Sequence, residues 1–332
     1  MTLLTWVYTA RRAFRSMAIA CALAIGVIFQ FSIHPVQAQV VTPATPPAGT
    51  VFRDCADCPE MVVIPAGGLV MGSPASEEGR NDEEGPQRSV GISRAFAAGK
   101  FEVTRGQYAR FASETKRPAL GNCWYWSPAQ GKFVNEDPSK DWISPGFVQA
   151  DDHPVVCVTW NDAQAYAQWL SRKSGKSYRL LTEAQWEYAA RASSSTARPW
   201  GEDPALACEH ANVLDQSFVR VVSPGEGRKW PNPHGCDDGS AYTSRVGRYA
   251  ANRFGLHDMI GNAWEWVEDC WNDHYVGAPT DGNAWTGGDC ARRVLRGGGW
   301  YYDPRDARSA YRNGSVSASR GHGLGFRLAR TL

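Results

Sequence analysis

The stretch Gly261-Asn262-Ala263-Trp264-Glu265-Trp266 is followed by Arg293-Val294-Leu295-Arg296-Gly297-Gly298-Gly299-Trp300, and Gly325-Phe326-Arg327 closes the series. These three segments place glycines beside tryptophans and charged side chains. Glycine supplies tight turns and close backbone approaches, whereas tryptophan fills large volumes in a core. The pattern predicts a C-terminal region of turns and short, irregular strands that aromatic side chains hold together.

The preceding region has the same character beyond Arg191, where glycine, proline, asparagine, aspartate and tryptophan dominate. The whole chain has 14 tryptophans among 332 residues. Residues 200–245 contain too few apolar side chains to form a core of their own. We therefore predict a single domain whose core is held by aromatic side chains and disulfides rather than by long regular elements.

The N-terminal segment is typical of an export signal. A basic start is followed by an apolar run and by a small-residue sequence that resembles a cleavage site. These three parts are Arg11, Arg12 and Arg15, then Met17 to Phe31, then Val36-Gln37-Ala38. Residues 1–38 therefore predict a signal peptide, either of the twin-arginine type or an ordinary Sec signal with adjacent arginines.

The segment after the signal is a Pro-rich linker, residues 39–54, and the folded domain spans residues 55–332. The apolar run of the signal is short for a membrane span. We expect an exported, periplasmic or extracellular protein with no membrane anchor after signal cleavage.

The charge of the chain argues against two classes of partner. The predicted signal removes three of the 35 basic residues and none of the 34 acidic residues, so the remaining chain is near neutral. Without a basic run, nothing indicates binding to nucleic acid or to an anionic membrane surface. The sequence also lacks a Gly-x-Ser-x-Gly elbow and a phosphate-binding Gly-rich loop, so hydrolase and nucleotide-binding functions have no support.

Eight cysteines follow the predicted signal: Cys55, Cys58, Cys123, Cys157, Cys208, Cys236, Cys270 and Cys290. An even number in an exported chain is typical of disulfides, although eight cysteines allow 105 pairings. We predict pairing between sequence neighbours, namely 55–58, 123–157, 208–236 and 270–290. Zinc binding and redox activity at the Cys-x-x-Cys of residues 55–58 are the alternatives.

Capping signals and helical spacing predict three helices. Thr104 begins the first, which runs to about Ser113. Asn161 caps the second, and Thr182 opens the third with a capping box. A short buried strand is predicted at residues 61–65.

Taken together, the C-terminal segments resemble the sulfatase-modifying-factor family, whose founding member is the formylglycine-generating enzyme. The resemblance covers about residues 60–330, because further fragments follow in the family's order: Met61-Val62-Val63-Ile64-Pro65-Ala66-Gly67, Glu102-Val103-Thr104, His153-Pro154-Val155-Val156 and Arg179-Leu180-Leu181-Thr182-Glu183-Ala184-Gln185-Trp186-Glu187. It implies an α+β fold, an elaborated C-type-lectin-like single domain with little regular structure and disulfide staples.

The resemblance also implies two calcium ions. The first ligand set falls on the side chains of Asp258 and Glu265 and the carbonyls of Gly261 and Ala263. The second falls on the side chains of Asn212 and Asp238 and the carbonyls of Val213 and Ser240. Calcium takes several oxygen ligands from carboxylates and carbonyls, which these residues supply. The alternative is that the carboxylates of the first set only cap turns and face solvent.

A departure from the family lies after Gly297-Gly298. In that alignment the two copper-binding cysteines of the formylglycine-generating enzyme fall on Tyr302 and Ala307, and a nearby serine falls on Gly299. Copper(I) needs soft thiolate ligands. We therefore expect neither copper binding nor formylglycine formation by that route.

Aromatic and basic side chains remain at this position, and in the family the corresponding surface is the substrate groove. The candidate groove residues are Trp264, Trp300, Tyr302, Arg305, Arg308 and Arg312. Arginine clamps carboxylates and stacks on planar groups. The alternative is that Arg308, Arg312 and Arg327 bridge buried carboxylates or loop carbonyls. A metal site built from His210, His234, His257, His274 and His322 is a further alternative.

The resemblance implies two classes of function. One is an exported, calcium-stabilised family member that acts on or binds a secreted peptide or protein client without copper-thiolate chemistry, for example a periplasmic maturation oxidoreductase. The other is a non-catalytic, lectin-like binding or modulator protein. A bound redox metal would favour the first class, and calcium alone with a peptide ligand would favour the second.

Overall fold

A five-stranded and a four-stranded sheet form the centre of the chain in the computed structural model, which describes residues 45–222, 230 and 232–332. The predicted signal peptide lies outside the described residues. The strands are β1 Val51–Phe52, β2 Met61–Ile64, β3 Gly67–Met71, β4 Arg88–Ile92, β5 Phe96–Gly99, β6 Tyr125–Ser127, β7 Lys132–Val134, β8 Tyr178–Leu180, β9 Trp264–Trp271, β10 Asp289–Arg296, β11 Arg312–Val316, β12 Leu324–Phe326 and β13 Leu328–Thr331.

The four-stranded sheet explains why the three C-terminal segments belong together. Its order is β11-β10-β9-β12. Trp266 of β9 lies opposite Leu295 of antiparallel β10 and opposite Phe326 of parallel β12. The three segments are therefore adjacent strands. The five-stranded sheet has the order β1-β2-β5-β13-β8 and brings the last strand between two early ones.

Two strands are longer than the sequence predicts. β9 and β10 each have eight residues, and seven of the eight β9 residues are buried. A strand buried on both faces, such as β9, has no alternation of apolar and polar residues that would reveal it. The prediction of only short, irregular strands after Arg191 is wrong for these two.

The helices are α1 Arg105–Thr115, α2 Trp160–Ser174, α3 Glu183–Arg191, α4 Ala207–His210 and α5 Gln216–Val222. Thr104 and Thr182 cap α1 and α3 with reciprocal capping boxes, as predicted. The N-cap of α2 is Thr159 rather than Asn161, because the Asp162 side chain completes a capping box with Thr159.

Tryptophans dominate the core. Trp186, Trp264, Trp266 and Trp300 are among the largest side chains with less than 2% exposure. Trp186 packs with the residues beneath α3, and Trp264 and Trp266 pack with those beneath α1 and α2. Because an aromatic side chain of this size buries 150–250 Å², each contributes about 4–6 kcal/mol of hydrophobic free energy as an upper bound.

The four predicted disulfides are present. They join Cys55 to Cys58, Cys123 to Cys157, Cys208 to Cys236 and Cys270 to Cys290. The Cys-x-x-Cys sulfurs bond to each other, so they do not act as zinc thiolates in this structure.

The sheet begins inside the segment interpreted as linker. Val51 and Phe52 pair with Val62 and Met61, so order starts before residue 55. Residues from 45 onward belong to one unit. In the part of the chain that the structure describes, no helix is both long and apolar enough to cross a membrane.

Candidate functional site

Three buried carboxylates come together at the start of β9, and we call Glu102, Asp258 and Glu265 the first carboxylate cluster. Each residue is at most 3% exposed. Arg327, which is fully buried, contacts the cluster, with its Nη2 at 2.7 Å from Glu265 Oε1. The indole Nε1 of Trp186 donates a hydrogen bond to Glu265 Oε2 at 2.7 Å.

The first carboxylate cluster carries three acidic groups against one arginine. Burial and the neighbouring Asp258 raise the pKa of Glu102 well above its usual range. Burial raises the pKa of Asp258 to about 6. The backbone N–H of Gly247 donates to Asp258 Oδ2 at 2.6 Å, whereas the buried Asp258 Oδ1 has no hydrogen-bond partner among the described residues. A buried oxygen without a donor is an exception that fits an additional cation.

A second polar cluster consists of Asn212 and Asp215, in the segment between α4 and α5, and Asp238, in the loop after α5. Burial and the nearby Asp215 raise the pKa of Asp238 to about 7. The backbone N–H groups of Val213 and Ser240 donate to Asp238 at 2.9 and 2.8 Å. The Asn212 side chain is fully buried, and its Oδ1 has no partner in the described part of the chain.

Asn262 connects the two clusters. Its Oδ1 accepts a hydrogen bond from Asn212 Nδ2 at 3.1 Å, and its Nδ2 donates to Glu102 Oε2 at 3.1 Å. The next residue in the chain, Ala263, donates its backbone N–H to Glu102 Oε1 at 3.2 Å. Gly261 must be glycine here, because a Cβ would lie 2.2 Å from the carbonyl oxygen of Asn212 and φ is +82°.

The predicted ligand residues thus occupy two neighbouring buried clusters. Asp258 and Glu265 interact electrostatically and share Arg327. Asp238 accepts a hydrogen bond from the backbone N–H of Val213, the residue that follows Asn212. The acidic side chains of the first set are buried and do not face solvent. The sequence interpretation missed Glu102 and Asp215. The Glu-Val-Thr fragment contains Glu102 and was the available signal.

The structure also contains a cleft of about 590 Å³ that is lined by aromatic side chains, including Trp264 of β9. We call it the aromatic cleft. Its apolar lining consists of Trp124, Trp264, Leu295, Tyr301, Tyr302 and Leu324. Its polar lining includes Asn122, Asn135, Asn313, Ser315, Ser319 and Arg320, and Arg320 is the one charged residue among the lining residues. The rings of Tyr302 and Trp264 meet edge to face at 5.0 Å, and those of Tyr301 and Tyr302 lie 4.8 Å apart.

Comparison with known proteins gives the family. The model of the sulfatase-modifying factor enzyme 1-like domain matches residues 47–332. The chain belongs to this family. The formylglycine-generating enzyme of Bos taurus is 30% identical over 298 residues, which cover 81% of this chain and 74% of the relative. The inactive C-alpha-formylglycine-generating enzyme 2 of Mus musculus is 31% identical over 300 residues, or 82% and 85% of the two chains.

Solved structures of the sulfatase-modifying-factor fold agree with this assignment. PvdO from Pseudomonas aeruginosa is 39% identical with a TM-score of 0.73, and the match covers 87% of this chain and all of that one. The variable protein 1 of Treponema denticola matches at 22% identity with a TM-score of 0.62, which is a likeness of fold alone. The predicted family and single α+β domain are confirmed.

The residues that the family resemblance aligns with the catalytic cysteines are Tyr302 and Ala307, and neither carries a thiol. Tyr302 lines the aromatic cleft, whereas Ala307 is 1% exposed and packs in the core cluster that contains Trp186. Burial raises the pKa of Tyr302 to about 12, so its phenol stays protonated near neutral pH. All eight cysteines of the described domain are in disulfides.

Two predicted groove arginines lie in the interior instead. Arg308 is fully buried, and its guanidinium donates to Glu84 Oε1 at 2.6 Å and to Glu77 Oε1 at 2.5 Å. Arg312 is 3% exposed and donates to both oxygens of Glu183, at 2.7 and 2.9 Å. Placing them in the groove is wrong, because each neutralises a buried carboxylate more than 100 residues away in sequence.

The other predicted groove residues divide between cleft, core and surface. Trp264 and Tyr302 line the aromatic cleft. Trp300 is 1% exposed and packs inside a core cluster with Trp126 and Phe218. Arg305 is exposed but lines a different cavity. Arg327 is structural, in contact with Glu265.

The part of the chain that the structure describes brings no group of three histidine ligands together. Among the residues described, the single group of three metal-ligating side chains within 4.8 Å of one another is Cys208, Asp215 and Asp238. Cys208 is bonded to Cys236 and offers no thiolate. His322 and His234 are buried apart, and burial lowers their pKa values to about 3 and about 4.

Proposed function

We propose that this chain is an exported, calcium-stabilised binding protein of the sulfatase-modifying-factor family. In this proposal the aromatic cleft holds an aromatic-bearing segment of a secreted peptide or protein client, without copper-thiolate formylglycine formation. The observation that carries the proposal is a cleft lined by aromatic side chains in which Tyr302 stands at one position that the family resemblance assigns to a catalytic cysteine.

Two properties of the clusters support calcium: each cluster holds buried carboxylates close together, and each contains a buried oxygen without a hydrogen-bond partner among the described residues. Asp258 and Glu265 with the carbonyls of Gly261 and Ala263 would hold the first ion. Each carboxylate oxygen has two lone pairs, so Glu265 retains acceptor capacity beside Arg327 and Trp186. The unpartnered Asp258 Oδ1 is the free oxygen of this set.

The second ion would be held by Asn212 and Asp238 with the carbonyls of Val213 and Ser240. The unpartnered Asn212 Oδ1 supports this set. Calcium prefers oxygen from carboxylates, amides and carbonyls, which is the donor chemistry present. The bound ions would fix the loop that leads into β9 and therefore the floor of the cleft.

Client binding is supported by the composition of the aromatic cleft. Trp124 and Tyr302 are partly exposed and offer ring surface for an aromatic side chain, and the buried rings of Trp264 and Tyr301 pack against Tyr302. Asparagine and serine side chains along the same lining offer hydrogen bonds to a peptide backbone. The volume of about 590 Å³ lies within the range of specific ligand sites.

Elemental analysis tests the metal part of this proposal. The protein is purified from a periplasm without a chelating tag, and about two calcium ions per chain and no stoichiometric copper or iron are expected. Asp258→Asn and Asp238→Asn should each lower the calcium content by about one ion, whereas Glu136→Gln, an exposed control, should not. Stoichiometric copper or iron would overturn the proposal and assign the chain to the oxidoreductases.

Calorimetry with short peptides tests the cleft. Gly-Trp-Gly and Gly-Tyr-Gly should bind at least tenfold more tightly than Gly-Ala-Gly, because stacking needs a ring. Trp264 is a core residue, so Tyr302→Ala is the preferred variant and Arg94→Gln is the exposed control. Equal heats for all three peptides, or unchanged binding in Tyr302→Ala, would argue against an aromatic-binding cleft.

A further inference from the structure

A second cavity lies beside the aromatic cleft and shares no lining residue with it. Its volume is about 390 Å³, and three loops build it, at residues 74–78, 195–204 and 304–305. We call it the charged pocket. Its charged lining residues are Glu77, Glu78, Arg198, Glu202 and Arg305. The segment 301–305 separates the two cavities, since its first residues line the cleft and its last line the pocket.

Two buried arginines hold the walls of the charged pocket in place. Arg308 donates to Glu77 Oε1 at 2.5 Å, to the carbonyl of Gly79 at 2.8 Å and to the carbonyl of Arg305 at 2.5 Å. Arg198 donates to the carbonyls of Glu202 at 2.9 Å and Pro304 at 2.6 Å. Each arginine therefore ties one loop to another, and the pocket is formed before any ligand arrives.

The arginines that line the charged pocket have no carboxylate at ion-pair distance among the described residues. Arg198 is 6% exposed, forms no ion pair with any described carboxylate, and its Nε has no hydrogen-bond partner there. Burial and the nearby Arg308 lower the pKa of Arg198, although the charges of Glu202, Glu77 and Glu78 act in the opposite direction. A buried cation without a paired anion is unfavourable. Arg305 adds a second, exposed guanidinium that forms no ion pair within the described ranges.

Two of the three carboxylates that line the charged pocket also have no ion-pair partner among the described residues. Glu77 is neutralised by Arg308. Glu78 and Glu202 are exposed and form no ion pair with any described residue. The pocket thus presents the exposed guanidinium of Arg305, the buried Arg198 Nε that lacks a hydrogen-bond partner, and the two exposed carboxylates, and none of these four side chains forms an ion pair within the described residues. A ligand with only negative charge would be repelled by the carboxylates, and a ligand with only positive charge would be repelled by the arginines.

We propose that the charged pocket binds a small zwitterion that carries an ammonium and a carboxylate group, either a free α-amino acid or a dipeptide. The carboxylate is received by Arg198 and Arg305, and the ammonium by Glu78 and Glu202. The pocket volume fits a ligand of this size. Charge-assisted hydrogen bonds at both ends select against molecules with one charge.

Titration calorimetry of the full protein tests this inference, with L-alanine, L-glutamine, L-glutamate, L-lysine and Gly-Gly as probes. N-acetyl-alanine, alaninamide, propionate and phosphate are the single-charge controls. At least one zwitterion should bind about tenfold or more tightly than its acetylated and amidated forms. The amino acids and Gly-Gly distinguish the two sources of the same chemistry.

Variants locate the binding site. Arg305→Gln and Glu78→Gln should each weaken zwitterion binding about tenfold, because both side chains are exposed and neither maintains the fold. Arg94→Gln and Glu136→Gln are matched exposed controls elsewhere on the chain and should leave it unchanged. Tyr302→Ala should not affect it, which separates this inference from the proposed function.

Three outcomes would overturn the inference. The first is the absence of heat and of a thermal shift with every zwitterion up to about 10 mM, where even millimolar affinity would be detected. The second is equally tight binding of propionate or phosphate, which would make the pocket a simple anion site. The third is zwitterion binding that Arg305→Gln and Glu78→Gln leave intact.

Discussion

Arg308 offers the sharpest test of how the region around the cleft is built. Its guanidinium is fully buried and bonded to both oxygens of Glu84, at 2.6 and 2.9 Å, to Glu77 and to the carbonyl of Gly79. Glu84 is also fully buried. Burial alone raises the pKa of Glu84, but the ion pair with Arg308 outweighs burial and the pKa is lowered.

Arg308→Met keeps the aliphatic volume and removes the charge. Loss of one partner of a buried ion pair destabilises by about 3–5 kcal/mol, because the other charge stays buried without compensation. Ser73 Oγ and the backbone N–H of Asn81 still donate to Glu84, at 2.7 and 3.1 Å. We therefore expect the lower end of the range, about 3 kcal/mol, which is a large part of a typical unfolding free energy.

The assay is guanidinium denaturation followed by tryptophan fluorescence, with calcium fixed and the disulfides intact. Glu84→Gln in the Arg308→Met background removes the stranded charge and should recover more than about 1 kcal/mol. Arg305→Gln is the matched control, an exposed arginine three residues away, and should stay within about 0.5 kcal/mol of the parent. A loss below about 1 kcal/mol in Arg308→Met, or no recovery in the double variant, would refute a structural role for Arg308.

Three further predictions concern the frame around the sites. Replacing Cys123 and Cys157 together by serine opens a link of 34 residues and should lower the unfolding free energy by about 4 kcal/mol in chemical denaturation; a change below about 1 kcal/mol would contradict this. Gly261→Ala should destabilise by more than about 2 kcal/mol and lower Tm, because its Cβ would lie 2.2 Å from a backbone oxygen; an unchanged Tm would argue against the close approach. Burial lowers the pKa of His322 to about 3 in the folded protein, so unfolding takes up a proton at this residue below about pH 6.5. As the pH falls from 6 to 4, His322 alone should therefore reduce the unfolding free energy by about 1.4 kcal/mol per pH unit. The stability that depends on neutral His322 is present above pH 6.5 and lost in acid. His322→Gln should therefore make the unfolding free energy depend less steeply on pH between 6 and 4. An equally steep pH dependence in that variant would contradict the lowered pKa of His322.

Local features of the fold were predictable because their causes are local. Thr104 and Thr182 cap their helices through bonds to residues three positions ahead, and the sequence displays both partners. The second helix was misplaced by two residues because Thr159 and Asn161 are both good N-caps. The choice is made by Asp162, whose Oδ2 accepts from the backbone N–H and the hydroxyl of Thr159 at 2.9 and 2.7 Å.

The contents of the sites were less predictable because their partners are distant in sequence. Arg308 and Glu84 are separated by 224 residues, and nothing in either neighbourhood indicates the other. The sequence therefore leaves two interpretations of Arg308 and Arg312, ligand contact or structural bridge, and burial and ion pairing assign both to the interior. Glu102 lies 160 residues from Asn262, so the first carboxylate cluster was predicted only in part.

The order of the disulfides has a consequence for biosynthesis. Each bridge joins two cysteines with no other cysteine between them, at separations of 3, 34, 28 and 20 residues. The four covalent loops follow one another and never interleave. If the chain is exported unfolded by the Sec route and the predicted signal, which contains Cys21, is removed, the remaining thiols emerge in the same order, and an oxidant that joins each new cysteine to its unpaired predecessor produces the native set directly. Among the 105 pairings open to eight cysteines, this one requires no reshuffling, and maturation should therefore proceed without a disulfide isomerase.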